Sequence, residues 1–94
     1  MKVELSDPAQ LDLEAIFQYT LETWGQRQAE TYVDQIYLAL LDIEADRAPS
    51  RPMAEKPDFL RHKVGSHYLF YSQKEDIWVV SRILHERMDL LAHL

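Results

Sequence analysis

Two stretches near the end of the chain decide the fold. They are Val64-Gly65-Ser66-His67-Tyr68-Leu69-Phe70-Tyr71, and Val80-Ser81-Arg82-Ile83-Leu84-His85 with Met88-Asp89 behind it. In the first, a Gly-Ser pair separates two β-like runs. This spacing predicts a two-residue hairpin turn, with Gly65 supplying the positive φ that a type II′ turn requires at its first central position. Working outward, three strands are expected over 59–64, 67–74 and 77–85, with a turn at Glu75-Asp76. The last run carries apolar residues at both odd and even positions, Trp78 and Val80 against Ile77, Val79 and Ile83. That pattern is the mark of a central strand with both faces partly covered.

Upstream the period changes. Ala9, Leu13, Ile16, Phe17, Thr20 and Trp24 recur at helical spacing, behind a Ser6-Asp7-Pro8 start signal and ahead of Gly25 as a stop. This predicts a helix over 8–24. Ala29, Tyr32, Val33, Ile36, Leu40 and Ile43 form the stripe of a second helix over 27–46, widened by Tyr37, Leu38 and Leu41, so that contact on two sides is expected. The short Gly25-Gln26 link predicts an antiparallel helical hairpin. Residues 48–58 hold three of the four prolines and read as a connecting loop, and Val3 and Leu5 alternate with polar residues in a short strand over 2–6. The order is β-α-α-β-β-β with a short segment, 86–94, at the end. The fold class is α+β: an N-terminal strand and a helical hairpin packed on a mostly antiparallel sheet of about four strands. Trp24, Tyr32, Tyr37, Phe70 and Trp78 fall on apolar stripes and are expected in the core, whereas Tyr68 or Tyr71 is a candidate to face a partner groove.

Composition bounds the function. Ninety-four residues make one domain, 1–94, with a core of modest size. There is no cysteine, hence no disulfide or thiolate metal site, which fits a reducing compartment. No apolar run matches a signal peptide or a membrane span, so a cytoplasmic protein without membrane contact is expected. The net charge is −6 and is uneven: residues 1–49 hold ten acids against three basic residues, and residues 50–94 hold six acids against seven. Such a balance disfavours broad nucleic-acid binding.

Few side chains suggest chemistry. His62, His67, His85 and His93 show no metal-ligand spacing, and no metal or other cofactor is expected. Ser66 sits in a turn, not in the strand-to-helix elbow that exposes a nucleophile. The acids lie mainly on helix faces. RNA cleavage would need a base, an acid and cations on the phosphate, and Arg61, Lys63, Arg82, His85 and Arg87 supply such groups only if they converge.

Taken together, several short motifs resemble the ParE toxins of the RelE/ParE superfamily. They are Leu5-Ser6 with Asp12-Leu13 and Ile16; Trp24-Gly25 with Gln28-Ala29 and Tyr32; Arg61, Gly65-Ser66-His67 and Phe70-Tyr71; and Arg82-Ile83-Leu84-His85 with Met88-Asp89 and His93-Leu94. The resemblance covers essentially the whole chain. It implies the toxin of a type II toxin–antitoxin system, neutralised by a ParD-like antitoxin and directed at DNA gyrase. Such a protein acts by binding and is not an enzyme. RelE relatives cut mRNA on the ribosome and place basic residues along the central hairpin. Here the strand after the turn has no Arg or Lys before Lys74, which favours the ParE branch. The family commonly carries Pro-x-x-Gly after its second helix, where this chain reads Pro49-Ser50-Arg51-Pro52. On this reading Arg61, Tyr71 and Arg82 are the expected antitoxin contacts, the two arginines because acidic tails suit guanidinium forks. His85, Met88 and Asp89 are the expected target-binding residues. The alternatives are a RelE-like ribosome-dependent mRNA endonuclease, using Arg61, Arg82, His85 and Arg87, and a toxin-derived module without activity.

Overall fold

The structure is a computed structural model, and residues 1–93 are described. The expected C-terminal pair His93-Leu94 therefore lies partly outside the described residues. The chain runs β1 (Lys2–Leu5), α1 (Asp7–Trp24), α2 (Gln26–Glu44), β2 (Arg51–Pro52), β3 (Leu60–Val64), β4 (His67–Lys74), β5 (Ile77–His85) and a last turn of helix, α3 (Leu90–His93). The α+β class and the order of the main elements are as expected.

Each boundary has a local cause. Ser6 caps α1, its Oγ accepting from Ala9 N at 3.2 Å, and Pro8 sits in the first turn. Gly25 ends α1 and starts α2 at φ 92°, ψ 172°, a conformation open only to glycine. The second helix stops at Glu44, two residues short of the expected end, because Asp46 turns to φ 56°.

The sheet has five strands in the order β1-β5-β4-β3-β2. Only β1, beside β5, is parallel to its neighbour. The fifth strand corrects the reading of 48–58 as a plain loop. Arg51 and Pro52 pair with Arg61 and Leu60, and Met53 behind them is buried on Phe70 and Leu84. A proline is tolerated there because β2 is an edge strand. At the other edge, Glu44 Oε1 accepts the Val3 N–H at 2.9 Å.

Both helices pack on one face of the sheet. Their core includes Leu13, Ile16, Ile36, Leu40 and Ile43 against Leu69, Tyr71, Val80 and Ile83. The opposite face carries a smaller cluster of Met53, Phe70 and Leu84, flanked by Phe59 and Tyr68. Fully burying side chains of this size contributes about 1.5–3 kcal/mol each.

The odd-and-even pattern of β5 has a second cause besides two covered faces. Phe70 pairs with Arg82 but Tyr71 pairs with Val80, so Ser81 is a bulge. The extra residue flips the alternation and returns Ile83 to the helix face with Trp78 and Val80.

The widened stripe of α2 is not buried as expected. Tyr37, Leu38 and Leu41 are exposed, as are Tyr19 and Leu11 on α1, and Trp24 is 70% exposed. Neither Trp24 nor Tyr37 is a core residue; Phe70 is, and Tyr32 and Trp78 are half-buried. The helical hairpin therefore leaves several large apolar side chains in water.

Candidate functional site

The bulge in β5 organises one end of the molecule. Strand β1 pairs with β5 only as far as Leu5 and Val80, so residues 81–85 overrun it. The first helix closes this gap with two polar side chains. Ser6 Oγ donates to the Ser81 carbonyl at 2.8 Å. Asp12 accepts from the Ile83 N–H at 2.9 Å and takes the Arg82 fork on both oxygens, from Nε at 2.7 Å and Nη2 at 2.9 Å. The carboxylate holds the Arg82 guanidinium protonated beyond its ordinary range. Arg82 Nη1 also donates to the His93 carbonyl at 3.3 Å, tethering the C-terminal turn.

A second knot secures the β3–β4 hairpin. Gly65 has φ +57° and Ser66 has no positive φ, as a type II′ turn requires. Space also demands glycine, since a Cβ on Gly65 would lie 2.6 Å from Tyr32 Cε1. Tyr32 Oη accepts the Ser66 N–H at 3.0 Å, and lies 2.6 Å from His67 Nδ1 and 3.1 Å from the Val64 carbonyl oxygen. Burial raises the Tyr32 pKa, partly offset by the Ser66 N–H. Burial first, and then the neighbouring His85, push His67 down to about 4. His67 is thus a neutral imidazole at pH 7, edge-on to His85 at 5.2 Å between ring centroids. The Arg87 N–H donates to His85 Nδ1 at 3.1 Å.

These groups line two adjoining clefts that share Tyr19, His67 and His85. One, of about 290 Å³, is walled by Asp12, Ile16, Ile83, Leu84 and Met88. The other, of about 310 Å³, opens toward Thr20, Trp24, Gln28 and Tyr32. Both are concave; the first has mainly apolar walls, as binding pockets do, whereas the second is lined largely by polar side chains, Thr20, Gln28, Tyr32, Ser66 and the two histidines among them.

The expected site residues are dispersed over this frame. His85 is half-buried in the wall shared by the clefts, with Met88 and Asp89 exposed just beyond it. Arg61 is on the helix-free face of the sheet, its guanidinium 5.2 Å from the Tyr68 ring centroid. Arg82 is not the free fork that was expected, because Asp12 occupies it. Tyr71 is nearly buried, 4% exposed, at the wall of a small cleft of about 180 Å³, with its ring edge-on to Trp78 and its hydroxyl on Ser50 Oγ. Its place on the helix face of β4 put it in the core.

Nor do the cations converge. Arg61 and Lys63 lie on the outer face, Lys63 paired with Glu86 at 2.7 Å, while Arg82 and His85 lie toward α1. Among the described residues no three His, Asp or Glu side chains form a metal-ligand set. Three organising residues, Asp12, Tyr32 and His67, stand in the quoted motifs but were given no site role. Asp12 had a signal, as an acid on the apolar face of α1 between Ala9 and Ile16. The contact between Tyr32 and His67 had none, since it joins residues 35 apart in sequence.

Comparison with known proteins gives a consistent result. Residues 3–90 match the family model described as the ParE toxin of the type II toxin–antitoxin system parDE. Toxin ParE1 of Mycobacterium tuberculosis is 36% identical over 88 residues, covering 92% of this chain and 90% of that protein. Toxin ParE of Escherichia coli is 34% identical over 93 residues, covering 96% and 89%. A solved chain from the chromosomal ParDE system of P. aeruginosa superposes with a TM-score of 0.78 at 20% identity, covering 90% of this chain and 95% of that one.

Proposed function

The chain belongs to the ParE toxin family of type II toxin–antitoxin systems, and from that premise we propose that it acts by binding DNA gyrase and is neutralised by a ParD-like antitoxin. The observation that carries the non-catalytic reading is the dispersal of the candidate nuclease groups. Arg61 and Lys63 lie on the helix-free face of the sheet, whereas the Asp12-bound Arg82 and His85 lie toward α1. Splitting the cations between the two sides of the sheet argues against a base, an acid and a full cation clamp meeting one phosphodiester. His67, with a pKa near 4, is also a poor base at neutral pH.

Antitoxin docking is supported by the exposed apolar side chains Leu11, Tyr37, Leu38 and Leu41 on the helical hairpin. A tail laid across them buries side chains that the fold itself leaves in water. Arg61 gives that partner a charge-assisted contact on the sheet. The target-binding end is the cleft beside His85, with Met88 in its wall and the exposed Asp89 next to it in sequence.

The test is a gyrase supercoiling assay beside a ribosome-dependent mRNA cleavage assay, both on the purified full chain. Inhibition of supercoiling without cleavage is expected, and its reversal by the antitoxin encoded in the neighbouring reading frame completes the reading. Codon-linked mRNA cleavage at near-stoichiometric protein would replace it with the nuclease.

A further inference from the structure

Strand β1 runs parallel to β5 and pairs with it as far as Val80, where the Ser6 N–H adds a last bond to the Val80 carbonyl at 3.0 Å. Beyond that point β5 is itself the edge of the sheet. An edge carries unpaired N–H and C=O groups that a further strand can use. The Ile83 N–H leaves the sheet toward Asp12, and the Glu86 N–H turns inward to the Ser66 carbonyl at 2.8 Å. Alternation between them puts the backbone groups of Ile83 and His85 on the open edge and those of Leu84 toward β4. Asp12 holds the Ile83 N–H, and the His85 carbonyl accepts from the Met88 N–H at 3.0 Å. Among the described residues the Ile83 carbonyl and the His85 N–H have no hydrogen-bond partner.

These two open groups select a direction. In an antiparallel pair, one residue exchanges both bonds with the residue opposite, and neither Ile83 nor His85 has both groups free. In a parallel pair, one residue of the partner donates to a carbonyl and accepts from the N–H two positions further on. The Ile83 carbonyl and the His85 N–H are such a pair, and a segment bridging them continues the line of β1. The bridging residue shares the face of Leu84. Its successor turns to the helix side, where Ile16, Tyr19, His85 and Met88 wall the cleft of about 290 Å³. Ligand pockets span about 300–1,000 Å³, so a cleft of this size suits a single apolar side chain.

We propose that the open edge at Ile83 and His85 takes up an extended segment of the target protein as a parallel β-bridge, anchored by a bulky apolar side chain in the adjoining cleft. The occupant, though not the site, rests on the target-binding reading above. Main-chain bonds supply affinity in such strand addition, and the pocket for the alternate side chain supplies specificity.

The test has two arms, both on the full chain. The first is an NMR titration with the peptide acetyl-Gly-Ala-Leu-Gly-amide, the alanine as bridge and the leucine as anchor. The His85 amide proton is expected to move downfield, with shifts at Ile16 and Met88. Methylating the alanine nitrogen removes the donor to the Ile83 carbonyl, and serine in place of the leucine removes the anchor. Each change should abolish the His85 shift. The second arm uses Ala15→Phe, at an exposed helix position in the cleft wall, where the new ring fills the mouth and leaves the core alone. Half-inhibition of gyrase supercoiling should then need about tenfold more protein or higher. The melting temperature should stay within a few degrees and antitoxin affinity within twofold. An unmoved His85 amide, or equal binding of the methylated peptide, overturns the site. Undiminished inhibition by Ala15→Phe overturns the target as occupant, and a loss of antitoxin affinity in its place gives the edge to the antitoxin. If the wild-type chain leaves supercoiling untouched, the toxin reading fails and takes this occupant with it, while the peptide arm still decides the site.

Discussion

At the scale of single residues, the molecule depends on a few side chains that satisfy backbone or charge where the strands alone cannot. Gly65 meets two demands at once, a left-handed backbone at φ +57° and a Tyr32 ring 2.6 Å from where a Cβ would sit. Gly65→Ala should cost about 1–2 kcal/mol for the backbone and a similar amount for displacing the ring. For a domain of this size that lowers the melting temperature by roughly 10 °C or more. A variant melting within two degrees of wild type would show that the hairpin relaxes freely. Asp12→Ala leaves the Arg82 fork and the Ile83 N–H without their partner, and should cost about 2–3 kcal/mol in urea unfolding. His67 gives a pH signature. Its folded pKa is about 4, against about 6.5 unfolded, so between those values the unfolded chain binds the extra proton. The His67 contribution is fully present above pH 6.5 and is lost as pH falls through 4. The difference in stability between wild type and His67→Gln should shrink over that window, and parallel pH profiles would refute the assignment.

At the scale of elements, the bulge and the C-terminal turn are coupled through α1. Ser6 both caps the helix and bonds the bulged Ser81 carbonyl, so Ser6→Ala removes two interactions and should cost about 1–2 kcal/mol by denaturant unfolding. The segment after β5 is held more loosely. Beyond the Met88–His85 turn, the hydrogen bond that ties it to the rest of the fold among the described residues is the 3.3 Å one from Arg82 to the His93 carbonyl. Deleting Met88–Leu94, or changing Asp89→Ala, should therefore reduce growth inhibition far more than it reduces the melting temperature. Equal losses in both would make the segment a structural cap and not a target contact.

At the scale of the whole molecule, β5 lies against β1 and β4, and α1 rests on both β1 and β5. No element has a core of its own, so one cooperative transition is expected. Loss of helix followed by circular dichroism should coincide with fluorescence of Trp78, which packs on Tyr71, in a Trp24→Phe background. Since Trp24 is largely exposed, that substitution should itself be nearly neutral. Separated transitions would mean that the helical hairpin melts apart from the sheet.

Much of this fold was legible in the sequence because its signals are local. A glycine forced to positive φ marks Gly65, a helical period marks both helices, and Gly25 marks their junction. The motif order carried the family on the same local evidence. Positions alone could not say which apolar residues the core would use. Trp24, Tyr37 and Leu38 belong to stripes as apolar as the buried ones, but each helix turns only one side to a single sheet face, and the remainder stays in water. The bulge at Ser81 was hidden because one inserted residue changes the facing of everything after it, and only pairing with β4 reveals the insertion. The fates of the expected contact residues were decided across the longest distances: Arg82 by Asp12, 70 positions away, and Tyr71 by the helices that close over β4. Hydrogen-bonding and burial of this kind depend on which groups meet in space. The sequence determined the elements, their order and their family, and the tertiary structure alone decided which charges were consumed in holding the fold and which remained for a partner.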